Sequence, residues 1–172
     1  MHVLQWITVQ ADNTDMAFDT VKDTLESELG NNDYSSNAWF DWFVVGGGRW
    51  NPNPDSQYKE DDHSMVVSYG AEPDKFIETI NNAMESRMAE FRGYRERFEA
   101  QNLDINAKLD SYDGSMDFSM EMYELSKLTD MLQGKWNMDS YFYDLNNWST
   151  NTKWVLDTLD DSWYLVPVDF HF

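Results

Sequence analysis

Apolar and polar positions alternate from Val3 to Gln10, which predicts an opening strand. From Asp15 to Leu29 the period changes to that of a helix. Phe18, Val21, Leu25 and Leu29 recur at helical spacing, Asp12-Asn13-Thr14 offers N-cap chemistry, and Gly30 supplies a stop. After a polar loop over residues 31–37, Trp39 to Val45 is apolar except for Asp41 and rich in aromatic and β-branched residues, so it predicts a second strand. A polar connection runs from Asn51 to His63. Ser64 to Tyr69 predicts a short third strand closed by Gly70. Pro73 then opens a helix with Phe76, Ile77, Ile80, Met84, Met88 and Phe91 on its apolar positions, reaching about Gln101. At the far end, Tyr164-Leu165-Val166-Pro167-Val168 predicts a last strand over residues 163–172, with Pro167 marking an edge position or a bulge.

The order strand, helix, strand, strand, helix, strand predicts an α+β domain with a ferredoxin-like βαββαβ sheet. The chain reads as one domain over residues 1–172, with a core of 1–101 plus 161–172. Residues 102–160 form a helical, aromatic-rich insertion before the last strand. Its helix runs from Phe118 to Gln133, an irregular stretch from Trp136 to Trp148, and a short helix from Thr152 to Leu159. The insertion is too apolar for a linker and is expected to pack on the sheet.

The most concentrated stretch is Trp39 to Trp50, which holds three tryptophans, two phenylalanines, three consecutive glycines and Arg49. Glycine permits positive φ and close backbone approach, so Gly46, Gly47 and Gly48 mark a bulge or sharp turn. Two readings follow. In one, the glycine amides and the Arg49 fork form an anion pocket walled by Trp42 and Trp50, with Asp41 beside it. In the other, the glycines only bend the strand, while Arg49 pairs with Asp41 and stacks on Trp42 or Trp50. No Lys-Ser/Thr follows the glycines and no helix opens after them, which excludes a P-loop and a dinucleotide fingerprint.

Asp41-Trp42-Phe43-Val44-Val45-Gly46-Gly47-Gly48-Arg49-Trp50 resembles an Asp-Trp-aromatic-x-x-Gly-Gly-Arg-Trp signature of small proteins of bacteriophages and some bacteria. Members often finish on a Val-Asp-x-His-aliphatic strand, and this chain ends Val168-Asp169-Phe170-His171-Phe172. The third glycine and the terminal Phe172 depart from the pattern. The resemblance implies a phage or mobile-element origin and a shared core. It carries no activity with it.

Charge changes the picture most. Twelve Lys and Arg face 32 Asp and Glu, for a formal net charge of −20. That argues against direct binding of nucleic acid or of an anionic membrane and favours a basic partner, a cation or a salty medium. The absence of cysteine excludes disulfides and cysteine-ligated metals and points to a reducing cytoplasm. The N-terminus lacks the basic start and apolar run of a signal peptide, and no stretch is apolar enough to span a bilayer.

Asp12, Asp15, Asp19, Asp23 and Glu26 step by three or four residues and form one row on the first helix. Like charges at this spacing repel and offer folding nothing, apart from the first acids, which favour the helix N-terminus. Asp117, Glu121 and Glu124 make a shorter row, as do Asp74, Glu78 and Glu85. Such rows resemble the phosphate track of a nucleic acid, although a solvated face, salt adaptation or divalent-cation binding would also show them. Asp110-Ser111-Tyr112-Asp113-Gly114 lacks the ligand spacing of an EF-hand.

The main expectation is therefore an acidic, phage-type inhibitor of a basic host nuclease, restriction or CRISPR component, contacting it through the first two rows. The alternative is a nucleotide or small-anion sponge using the Gly46–Trp50 corner. No cofactor and no catalytic role are expected. His63 beside Asp61-Asp62, and Asp169 with His171 on one strand face, are the nearest approaches to acid-base chemistry. Pairing of the first strand with the last would also bring His2 to His171.

Overall fold

The computed structural model describes residues 1–29, 38–56, 62–101, 107, 110 and 119–172. Its elements are β1 (His2–Gln10), α1 (Thr14–Thr24, prolonged by a π-turn over Leu25–Leu29), β2 (Trp42–Val45), β3 (Val67–Ser68), α2 (Pro73–Ala100), α3 (Met120–Leu132), β4 (Phe142–Asp144), α4 (Thr152–Asp157) and β5 (Trp163–His171). The molecule is mixed α+β, built on a five-stranded sheet. None of the described helices is long and apolar enough to cross a membrane.

β1 and β5 run antiparallel through nine residue pairs, from His2 opposite His171 to Gln10 opposite Trp163. On the other side of β5, β2 covers Val168 to His171 and β3 covers Tyr164 and Leu165. β4 lies parallel to β1 beyond its far edge. The expected first, second, third and last strands thus share one sheet. The order β2-β5-β1-β4, with β3 also on β5, does not confirm the ferredoxin-like arrangement. In that arrangement the third strand would lie between the first and second. Here β2 and β3 lie end to end along β5.

Pro167 shows why the last strand is central and not the edge strand its proline suggested. Its carbonyl accepts the Gly46 N–H at 2.8 Å on the β2 side. The N and C=O of one strand residue point the same way, so the missing donor of Pro167 also faces that side, between the end of β2 and the start of β3. The ladder to β1 loses nothing. The stretch expected to be an insertion also contributes β4, which sits directly on β1.

The strand alternation sends two sets of side chains to opposite faces. On one face Ile7, Val9, Val45, Val166, Val168 and Phe170 meet Ala17, Phe18, Val21 and Leu25 of α1. Gln5 is buried there, and both polar atoms of its amide are hydrogen-bonded: Nε2 donates to Asn137 O (2.6 Å) and Oε1 accepts from Trp136 Nε1 (2.7 Å). On the opposite face Val67, Phe142, Trp163 and Leu165 meet Phe76, Ile80 and Ala83 of α2 and Val155 of α4. α2 starts at Pro73 as expected, and α1 is capped by Asn13, whose side chain accepts from Met16 N at 2.9 Å.

α3 packs on α2 with its polar side inward. Glu124 takes a hydrogen bond from Arg97 Nε at 3.0 Å, and Asp139 accepts from both Lys127 Nζ and Tyr94 OH at 3.2 Å. The Arg97 guanidinium also lies 4.6 Å from the Tyr94 ring centroid. Burial and the Asp139 charge push the Tyr94 hydroxyl far above its ordinary range.

At the end of β4 the buried Asp144 organises the turn that follows. Its carboxylate accepts from Asn147 Nδ2 (2.8 Å), Asn146 N (3.0 Å) and Thr8 Oγ1 (3.3 Å). Burial pushes its pKa up, and these hydrogen bonds oppose the rise without cancelling it. A carboxyl with a raised folded pKa contributes stability in its protonated form, and this is lost as pH climbs through the folded value. Urea unfolding of the wild type and Asp144→Asn between pH 4 and 7 should therefore show the wild type gaining on the variant as pH falls. A difference that stays flat, or moves the other way, would contradict the assignment.

Candidate functional site

The glycines after β2 build a corner against the start of β1 and the end of β5. Gly46, Gly47 and Gly48 have φ of 97°, 92° and 48°, so the chain turns back through three left-handed residues that favour glycine. It enters a 3-10 turn, closed by Trp50 N to Gly47 O (2.9 Å) and Asn51 N to Gly48 O (3.0 Å). The buried Asn51 ties the loop shut, donating from Nδ2 to Gly46 O at 3.3 Å. Gly48 lies on Asp169: a Cβ there would sit 2.5 Å from Asp169 Oδ2.

Asp169 is the centre of this corner. It is 2% exposed, and both oxygens are occupied. Oδ1 accepts from His2 Nδ1 at 2.9 Å and Oδ2 from the Arg49 backbone N–H at 3.1 Å. The anion expected at the glycine turn is thus supplied from within the chain, and the Arg49 amide is not open to an outside ligand. His2 and His171 are register partners with ring centroids 4.8 Å apart. Trp42 stacks on His171 at 5.0 Å and 11°, and lies 5.1 Å from His2. Trp50 is 6.4 Å from His2.

Arg49 does not pair with Asp41. Asp41 Oδ2 lies 3.3 Å from His171 Nδ1, close enough for Coulomb attraction, but that buried nitrogen makes no hydrogen bond. The Arg49 guanidinium is exposed, 6.0 Å from the Trp50 ring centroid, and forms no ion pair among the described residues. Asp41, Trp42, Gly46, Gly47, Gly48, Arg49 and Trp50 are therefore together as expected. His2, Asp169 and His171 complete the group. The sequence signal for those three was the two-residue spacing of Asp169 and His171 and the pairing of the terminal strands. Among the described residues no group of three or more His, Asp or Glu is arranged to hold a metal ion.

The acidic row lies on the opposite side of the sheet. Asp12, Asp15, Asp19, Asp23 and Glu26 are all exposed, with Ala17, Phe18, Val21 and Leu25 facing the core behind them. Asp12 precedes the helix, and Asp15 Oδ1 meets His63 Nδ1 at 2.7 Å. His63 in turn packs 4.2 Å from the Phe18 ring.

The shorter row does not form a surface. Glu124 is 2% exposed and ion-paired with Arg97, and Glu121 is only partly exposed. An i,i+3 step placed them on neighbouring faces of α3, and the face bearing Glu124 turned inward to meet an arginine far away in sequence. Asp61, residues 111–114 and Asp117 lie outside the described residues. Asp74, Glu78 and Glu85 are exposed on α2.

Compared with protein-family models, curated proteins and solved structures, the chain matches none.

The close approach of Gly48 to Asp169 can be separated from glycine's backbone freedom. Gly134 is also left-handed, at φ 66°, but a Cβ there would meet only Thr150 Oγ1, at 3.6 Å. Gly134→Ala should cost about 1–2 kcal/mol from handedness alone. Gly48→Ala should cost about 1–3 kcal/mol beyond that, because Asp169 must move. Urea unfolding measures both, and equal losses would contradict the packing described.

Proposed function

We propose that this protein is an acidic, phage-type inhibitor that occupies the nucleic-acid channel of a basic host protein such as a nuclease, restriction or CRISPR component. It acts in the host cytoplasm as a binding protein without catalysis of its own. The observation that carries this reading is the row Asp12, Asp15, Asp19, Asp23 and Glu26: every member is exposed, Asp15, Asp19 and Asp23 lie on the outer side of α1, whose other side is packed in the core, and Asp12 and Glu26 flank its two ends.

Packing makes the array rigid, and a rigid array loses less entropy on docking than mobile side chains would. Its helical part, from Asp15 to Asp23, advances eight residues, about 12 Å of helix. The row also costs the fold something. Successive members repel, and Asp23 and Glu26 sit near the C-terminal end of α1, where the helix dipole favours cations. Asp12 and Asp15 suit the N-terminal end of the helix, but stability gives no reason for Asp23 and Glu26 to continue the pattern, whereas a basic groove does. Such an encounter is fast at low salt and weakens as salt rises.

Two variants with equal charge test geometry against bulk electrostatics. One carries Asp19→Asn, Asp23→Asn and Glu26→Gln, which spares the Asp15–His63 contact. The other carries Asp55→Asn, Glu78→Gln and Glu96→Gln, all exposed. Each removes three charges, from −20 to −17. Wild type immobilised on a resin should retain a basic nucleic-acid-binding protein from bacterial lysate and release it to duplex DNA. The row variant should retain it at least tenfold less well, since each desolvated charge contact is worth about 1–3 kcal/mol. The second variant should behave nearly as wild type. Equal losses would reduce the effect to bulk charge, and no loss in either would discard the row.

A further inference from the structure

Six described cations are already committed to the chain's own carboxylates: Lys75 to Glu72, Arg95 to Glu99, Arg97 to Glu124, Lys127 to Asp139, Lys135 to Asp130, and Lys153 to Asp157. In a chain of net charge −20 that is the expected fate of a base. Arg49 escapes it. The 3-10 turn is fastened by its backbone to Asp169, and the nearby Asp41 lies against His171, so the guanidinium stands in solvent with its planar fork unpaired. That fork matches the two oxygens of a phosphate or carboxylate.

Around it stand groups of a different kind. Trp42 and Trp50 are each 38% exposed, although an indole gains most by burial. One ring face of Trp42 is taken by His171, which leaves the other to stack on a planar ligand. His2 is held by its Nδ1 on the buried Asp169, which places the proton of the neutral imidazole there and leaves Nε2 as a hydrogen-bond acceptor. Of the carboxylates here, Asp169 accepts from two N–H donors, and Asp41 is exposed to solvent, 3.3 Å from His171 Nδ1.

We propose that His2, Trp42, Arg49, Trp50 and His171 form a binding site for a small planar ligand bearing an anionic group, the chemical class of a nucleoside monophosphate. Arg49 takes the anionic group, an indole stacks on the ring system, and His2 Nε2 accepts from a ligand hydroxyl or amine. The glycine turn serves as the support of this site. The site lies across the sheet from the α1 row and stands or falls independently of the inhibitor reading.

Isothermal titration of the full chain at low ionic strength, with adenosine monophosphate, adenosine and inorganic phosphate, tests the proposal. The monophosphate should bind saturably, and adenosine and phosphate each at least tenfold more weakly. Arg49→Ala should weaken monophosphate binding about tenfold or more and leave adenosine binding unchanged, with Arg49→Lys intermediate. Trp42→Ala should weaken monophosphate and adenosine alike. The Arg49 side chain is exposed, so unchanged thermal melting of Arg49→Ala would show that the fold is intact. Phosphate binding as tightly as the monophosphate, equal affinity in Arg49→Ala, or no saturable binding of adenosine, guanosine, cytidine or uridine monophosphate would each overturn it.

Discussion

Nine antiparallel residue pairs join the first strand of the chain to the last, and the rest of the molecule is arranged around that pairing. It makes β5 a central strand, with β1 on one side and β2 and β3 in line on the other. It divides the side chains into one set facing α1 and another facing α2. It also brings the two chain ends together, with Phe172 N donating to Met1 O at 2.9 Å. The partners lie about as far apart in sequence as the chain allows, so closing this contact carries a large loop-entropy cost that burial on both faces must offset.

At the end of that ladder sits a charge that the fold had no need to bury. Asp169 is opposite Leu4 in the register and would be tolerated as an apolar residue if packing were all that mattered. Burying a carboxylate is costly unless its oxygens are hydrogen-bonded. Here both are, and the partners come from opposite ends of the sequence: His2 in β1 and Arg49 after β2. One buried group thereby sets the imidazole orientation and the position of the turn. As a result Arg49, Trp42 and Trp50 come together on a surface that is otherwise strongly acidic. The two proposed surfaces thus lie on the two faces of one sheet.

The helices were legible because their apolar residues repeat at helical spacing and their caps are local. Asn13 before α1 and Pro73 at the start of α2 are signals that need no tertiary information. The strand order was not legible. Trp163 to Phe170 is buried at every position, as a strand covered on both faces must be, but Pro167 argued for an edge. Only the gap between β2 and β3 removes that objection. The shorter acidic row was misread for a related reason: Glu124 looks like a surface residue until Arg97 is brought to it. The corner was half legible. Glycines, indoles and Arg49 are neighbours in sequence, whereas the carboxylate that fixes them lies 120 residues away.

Amide hydrogen exchange at Arg49 tests the role of Asp169 most directly. In the wild type this N–H is bonded to a buried carboxylate and should exchange slowly. In Asp169→Ala it should exchange at least tenfold faster, while the amides of Ile7 and Val166 in the central ladder keep their protection. Fast exchange at Arg49 in the wild type, or protection unchanged in Asp169→Ala, would contradict the account of a corner held by one internal charge.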